Sequence, residues 1–272
     1  MNRLTKKEKE KLFRLIKQGK SLNEICKEMR LKKTTAYYYV RKIRGRKIKP
    51  VVIDTSDEEK IGEFIGVFAG DGSYFYDKKR FKHVICISFN RKERFIAEYY
   101  ANVIEKIAKK PYIYYRKNVV VVRVVSKEII SFIKNFLEWN GKKAHTVSLK
   151  KNVNKLSTKF LIGFLRGLID SDGYVRKGRK EIYFGSVSEK LIHNFTKILD
   201  LFHFKYKVYK QTKGINKHFY KVRIANEEVD KFCRLVRPLK WACGVSRKAH
   251  HPAIESREVV VGVRIPAGPS VK

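Results

Sequence analysis

Two aspartates, Asp71 and Asp172, occupy corresponding places in a chain that repeats itself at an offset of 101 residues. Each ends an apolar, helix-forming stretch and precedes a glycine, in Ala69-Gly70-Asp71-Gly72 and Asp170-Ser171-Asp172-Gly173. The negative end of a helix dipole repels a carboxylate and attracts a cation, so two such carboxylates held side by side call for a metal. Mg²⁺ is the expected ion, with Mn²⁺ as the other choice. Mg²⁺ takes oxygen ligands and is commonly held by one or two carboxylates plus substrate phosphate. Such a site supports in-line displacement at phosphorus, and a nearby cation would stabilise the charge that develops. Two repeated basic strings, Gly141-Lys142-Lys143-Ala144-His145 and Ser246-Arg247-Lys248-Ala249-His250, nominate Lys143 and Lys248 for that task. Asp-Gly is also an ordinary turn dipeptide. Its recurrence beside a second repeated feature is what sets this pair apart.

That second feature is a stripe of small residues. Gly62, Gly66 and Gly70 are matched by Gly163, Gly167 and Ser171 at the same offset, each set spaced i, i+4, i+8 on one face of its helix. Glycine inside a helix loses roughly 1 kcal/mol against alanine. Close approach of two backbones is the usual compensation, so these two helices are expected to pack on each other along the stripes. After each helix the hydrophobic pattern switches from period 3.6 to period two and back, giving the order αββαββα twice. The expected fold class is α+β: two pseudo-symmetric αββαββα half-domains, over residues 56–150 and 151–251, preceded by a small all-α domain over 1–45. A basic linker (46–55) and an irregular tail (252–272) complete the expectation.

Composition names the partner. The 272 residues carry 63 Lys+Arg against 26 Asp+Glu, a formal charge of +37, yet 43% of them are hydrophobic. A folded polyanion-binding protein is implied, and a disordered basic tail is excluded. No apolar run is long enough for a membrane span and no secretory leader is visible, so an intracellular location, in cytoplasm, nucleoid or organelle, is expected. The first 45 residues contain two capping boxes, Thr5-Lys6-Lys7-Glu8 and Ser21-Leu22-Asn23-Glu24, and read as a helix-turn-helix. Its third helix would offer Lys33, Thr34, Thr35, Tyr38 and Arg41 to a major groove, with Ala36 and Val40 inward. A plain three-helix bundle with a basic surface fits the same residues. In the hairpins, alternation puts Lys205, Lys207, Tyr209 and Gln211 on one face, and Lys221 and Arg223 on the matching face of the next strand. Arg176, Arg116 and Arg123 are the further candidates, although Val119 to Val125 is too uniformly apolar to reveal its faces.

The stretch Leu165-Arg166-Gly167-Leu168-Ile169-Asp170-Ser171-Asp172-Gly173 resembles the signature of the LAGLIDADG homing endonucleases. Phe64-Ile65-Gly66-Val67-Phe68-Ala69-Gly70-Asp71-Gly72 resembles a more degenerate first copy. The resemblance extends over about Ser56 to His250. It implies a pseudo-twofold monomer whose sheets form a saddle on double-stranded DNA, and Asp71 and Asp172 as catalytic, metal-binding acids that each serve one strand. Where members of the family often place a water-positioning glutamine, this chain offers Ser88 and Ser186, and no role is transferred. The function implied is site-specific cleavage for homing of an intron or mobile element. A DNA-binding regulator that has lost cleavage, and a maturase acting on intron RNA, stay open as alternatives. Finally, Val263-Arg264-Ile265 can be encoded GTT CGA ATC, a transfer-RNA T-loop sequence, so the reading frame is expected to run into a tRNA gene. Any other codons in the gene abolish that reading; a chance match in a terminal segment is the alternative.

Overall fold

The computed structural model describes residues 4–44, 50–212, 218–242 and 259–264. Its contacts divide the chain into two compact units, Met1–Pro50 and Val51–Lys272.

The first unit consists of α1 (Lys6–Lys17), α2 (Leu22–Met29) and α3 (Lys33–Arg44). Both capping boxes are formed: the Thr5 and Ser21 hydroxyls accept from the backbone N–H of Glu8 and Glu24, whose carboxylates accept from the cap residues in return. Leu12, Leu15, Ile16, Ile25, Ala36 and Val40 make a small core of their own. The Arg44 guanidinium donates to the Ile16 carbonyl and ties the end of α3 back to α1.

The second unit opens with α4 (Glu58–Asp71), β1 (Gly72–Asp77), β2 (Lys82–Asn90), α5 (Arg94–Ile107), β3 (Tyr112–Arg116), β4 (Val119–Val125) and α6 (Lys127–Phe136). A short connection of β5 (Leu137–Glu138), α7 (Lys143–Thr146) and β6 (Ser148–Leu149) follows. The series then recurs as α8 (Thr158–Asp172), β7 (Gly173–Arg176), β8 (Glu181–Ser186), α9 (Glu189–Leu201), β9 (Tyr206–Thr212), β10 (His218–Ile224) and α10 (Val229–Val236). Beyond it come α11 (Leu239–Ala242) and β11 (Val259–Arg264). The two sheets have the same antiparallel order, β1-β2-β4-β3 and β7-β8-β10-β9, with β11 added at the β9 edge. So part of the tail expected to be irregular is extended and paired. The chain is thus an α+β fold with an internally repeated sheet topology.

The repeat is joined through α4 and α8, whose backbones come into direct contact. A Cβ at Gly62 would overlap the Phe160 carbonyl oxygen, and one at Gly66 the Phe164 carbonyl. From the other helix, a Cβ at Gly163 would overlap the Glu59 carbonyl, and one at Gly167 the Glu63 carbonyl. The small residues are required by what stands opposite. One hydrophobic core runs through both halves, from Ile85, Val122 and Phe89 across Phe64, Phe68, Phe164 and Leu168 to Phe184 and Val222. A buried polar network spans the same interface: Arg166 contacts Glu63, sits 2.6 Å from Glu59, and donates through Nε to the Val236 carbonyl. Lys60 and Tyr99 close the other side of Glu63 at 3.0 and 2.7 Å.

Gly62→Ala should therefore lower the unfolding free energy of this unit by at least about 3 kcal/mol, because backbone rather than a movable side chain blocks the methyl. Gly178→Ala, in a hairpin turn where nothing lies within 4 Å of the new Cβ, should cost less than about 0.5 kcal/mol. Urea denaturation of both variants beside the wild type checks this; equal midpoints would contradict the packing argument.

Candidate functional site

Asp71 and Asp172 are the last helical residues of α4 and α8. Because the helices converge along their glycine faces, the two ends meet. The Cβ position of Gly70 lies 3.0 Å from the Asp172 Oδ2, so the carboxylate of one helix abuts the residue that precedes the carboxylate of the other. Asp172 is exposed and Asp71 half-buried.

The third expected member joins them. Lys143, the first residue of α7, donates from Nζ to the carbonyls of Phe68, Ala69 and Gly70 at 2.7, 2.7 and 2.9 Å. It caps the C-terminal end of α4 with a full charge, where the helix leaves carbonyls unpaired. Burial pushes its ammonium down to about 8, against the opposing pull of Asp172 and Asp71. The other expected lysine, Lys248, lies outside the described residues.

A lysine that the repeat does not reveal occupies the matching position on α8. Lys240, buried at the start of α11, donates to the Ser171 and Gly173 carbonyls at 2.7 and 2.9 Å, bracketing Asp172. Its Nζ is 3.9 Å from Glu93 Oε1. Asp170 holds the backbone that carries it, accepting from the Leu239 N–H at 2.8 Å and from the Tyr100 hydroxyl at 3.0 Å. Burial pushes the Asp170 carboxyl up to about 7, although Lys240, these hydrogen bonds and Tyr100 pull the other way. The two lysines are not sequence equivalents: Lys143 comes four residues after Trp139, Lys240 one before Trp241, and only the pair of tryptophans marks the correspondence.

The sheet faces turned away from the core carry the other expected residues. Burial alternates along β10, with Tyr220, Val222 and Ile224 buried and Lys221 and Arg223 on the opposite face. Lys207 and Tyr209 of β9 pair with Arg223 and Lys221 across the ladder, and Gln211 pairs with Phe219. Arg176 is exposed at the end of β7, and Lys205 is exposed just before β9. In the first sheet, Arg123 pairs with Cys86 and Tyr112, and Arg116, exposed, pairs with Val119. Register makes Arg123 and Arg223 equivalents: one faces Cys86, the partner of Ser73, and the other faces Tyr183, the partner of Tyr174. Each has a buried Nε with no hydrogen-bond acceptor among the described residues. The same register makes Gly185, rather than Ser186, the equivalent of Ser88, and the Phe219 ring covers Gly185. Within the first unit, Lys33, Thr34, Tyr38 and Arg41 are exposed along α3 and Thr35 is half-buried.

Residues 159–237 match the model of the LAGLIDADG-like domain family. The second of the repeated halves is thus similar to a LAGLIDADG-like domain. The resemblance extends to the whole repeated fold. The homing endonuclease I-DmoI in complex with DNA and Mn superposes with a TM-score of 0.53 at 16% identity, over 66% of this chain and 97% of that one. The same enzyme with DNA and Ca gives 0.53 at 16% identity, over 69% and 98%. Likeness at that identity fixes the fold, an α+β LAGLIDADG saddle. An uncharacterized protein of Methanocaldococcus jannaschii is 26% identical over 161 residues, 57% of this chain. The match spans about half the length of that relative, 54%. No helix among the described residues is long and apolar enough to cross a membrane.

Lys240→Met should destabilise the second unit by about 3 kcal/mol, since it strips two helix-end carbonyls of their donor and leaves Glu93 without its buried cation. Urea midpoints read this directly, and a shift below about 0.5 kcal/mol would remove Lys240 from the architecture of the helix ends.

Proposed function

We propose that this protein is a site-specific, divalent-metal-dependent endonuclease of double-stranded DNA. The observation that carries the reading is the meeting of Asp71 and Asp172 at the ends of two helices in backbone contact, with Lys143 inside their electrostatic reach. Two carboxylates of this kind suit Mg²⁺ or Mn²⁺. Among the described residues no third His, Cys, Asp or Glu joins them, so phosphate oxygens and water would complete the shell. Asp71 and Asp172 would hold the metal, which when bound supplies Lewis acidity and a nucleophilic water for phosphodiester hydrolysis.

The chain's own groups divide the remaining work. Asp172, exposed, would face the duplex, while Lys143 holds the α4 end in place and offsets charge that builds up between the carboxylates. Lys240 fixes the backbone on both sides of Asp172. Arg176, Lys205, Lys207, Gln211, Lys221 and Arg223, with Arg116 and Arg123, would engage the grooves and phosphates, arginine and glutamine on bases and lysine on phosphates. Residues 1–45 would act as a helix-turn-helix whose α3, through Lys33, Thr34, Thr35, Tyr38 and Arg41, lengthens the recognition site. The role that fits these parts is homing of an intron or mobile element by a monomer. Structures of I-DmoI in complex with DNA and Mn or Ca, and of a variant of it with target DNA in the presence of Mg, support the choice of duplex and metal.

Purified protein incubated with a randomised duplex library and Mg²⁺ should yield double-strand breaks at one long sequence. Asp71→Asn and Asp172→Asn should each reduce that cleavage at least about a hundredfold, and the double variant should bind the same duplex without cutting. Specific binding by a folded wild-type protein with no cleavage in Mg²⁺ or Mn²⁺ would replace the nuclease with a regulator.

A further inference from the structure

The two sheets differ in the balance of charged and apolar side chains on the faces turned from the core. On β7–β10 that face sets charge among aromatic rings: Arg223 pairs across the ladder with Lys207 and lies 3.3 Å from Glu181, the Lys221 ammonium sits 4.1 Å from the centroid of the Tyr183 ring, and Tyr183 stacks on Tyr174 at 4.6 Å. On β1–β4 it is apolar. Val84, Cys86 and Val121 form a separate small cluster on that face, with Tyr114, Val119 and Val125 packed against it. The pairings Val84 to Val125 and Val121 to Tyr114 make the cluster continuous across three strands. On the same face stand two large exposed side chains, Phe75, 49% exposed, and Tyr112, 69% exposed. Apart from Arg123 at its centre, cations frame the patch. Arg116 lies over the Tyr114 ring at 5.2 Å, and Lys78, Lys79, Arg80 and Lys82 are exposed at the β1–β2 turn. Arg123 is the charged side chain at its centre, with its buried Nε lacking an acceptor among the described residues.

A surface that is apolar at the centre and cationic at the rim matches a major groove whose floor is apolar. The C5-methyl of thymine is the apolar group a major groove offers, and the phosphates on either side match the rim. We propose that the half of the target lying against β1–β4 is read through thymine methyl groups packed on Phe75, Tyr112, Tyr114, Val119 and Val125, with Arg123 making the single polar base contact. The half against β7–β10 is read by hydrogen bonds. This inference rests on the reading of the protein as a duplex-DNA-binding saddle, and gives that saddle two unlike half-sites. Each half-site then fails differently: loss of a methyl group harms the first, and loss of an acceptor harms the second.

The test uses the full wild-type chain and needs no cleavage. A duplex is selected from random sequence by binding in Ca²⁺, and each thymine is then replaced in turn by deoxyuridine, which removes the methyl and keeps the base pair. Replacement by 5-iododeoxyuridine, with ultraviolet crosslinking and peptide mapping, reports which sheet each thymine faces. The expected result is a thymine-rich half that crosslinks to Phe75, Tyr112 or Tyr114, where each uracil weakens binding about fourfold. Uracils in the other half should change affinity less than about twofold. A selected duplex whose two halves respond alike, or whose thymines crosslink only to β7–β10, overturns this inference and leaves DNA binding intact. If no duplex is selected above background, duplex recognition itself falls and the inference falls with it.

Discussion

Everything in the larger unit depends on how closely α4 and α8 approach. Backbone carbonyls of each helix occupy the space where the other would carry a Cβ, at Gly62, Gly66, Gly163 and Gly167. Helices that carry ordinary side chains at the contact stay 8–10 Å apart, measured axis to axis. At that separation the helix ends would not bring Asp172 against Gly70. The glycines cost helix propensity and are offset by the apolar residues that flank them, Phe64, Phe68, Phe164 and Leu168, all buried in one core. The same contact sets the sheets: β1 and β7 begin at Gly72 and Gly173, immediately after the helix ends, so the position of each face follows from the helix pair.

Close approach also creates an electrostatic difficulty, which the fold answers twice. Two helices pointing their negative ends at one spot, each finishing in an aspartate, concentrate negative charge there. Lys143 and Lys240 each place an ammonium among the helix-end carbonyls, one on each side. Neither does so by the same route. Lys143 arrives from a single-turn helix in the connection between the halves, and Lys240 from the chain after α10, anchored by the buried Asp170. Burial pushes Lys143 down to about 8, so the charge it contributes depends on the carboxylates staying ionised beside it. The site is thus a coupled set of acid and base, and a divalent cation would enter as a competitor for the work the lysines do.

The sequence disclosed what is periodic and hid what is not. The glycine stripes, the duplicated element order and the outward face of β10 follow from spacing, because spacing repeats on one face of a helix or strand. Lys240 was invisible, since its distance from the acid departs from that of Lys143 and proximity was achieved through a different loop. The Glu63–Arg166 contact was likewise hidden: both residues lie inside apolar helices, where a charge in sequence gives no hint of its partner 103 residues away. The first sheet resisted for another reason. Val119, Val120, Val121 and Val122 are apolar on both faces, so alternation carries no signal there, and only the separation into two clusters on opposite sides of the sheet assigns the faces.

Lys240 at least keeps the place that matches Lys143, whereas the interfacial charges do not obey the pseudo-twofold. Glu63 and Arg166 come from opposite halves, and Arg166 stands where the first copy has Ile65. Asp170 stands where the first copy has Ala69. In a symmetric dimer each of these residues would appear twice around the same axis, and buried like charges would face one another across it. Fusion into one chain removes that constraint, so each interfacial polar group needs to be satisfied only once. Once the halves are chemically distinct at the interface, they can pair in a single arrangement. The sheets they carry are then free to differ as well: one outward face gathers valine, tyrosine and phenylalanine around Arg123, and the other sets lysine, arginine and glutamine among Tyr174, Tyr183 and Phe219. A saddle with unlike halves has a direction along its duplex, whereas a symmetric one reads the same sequence from either end.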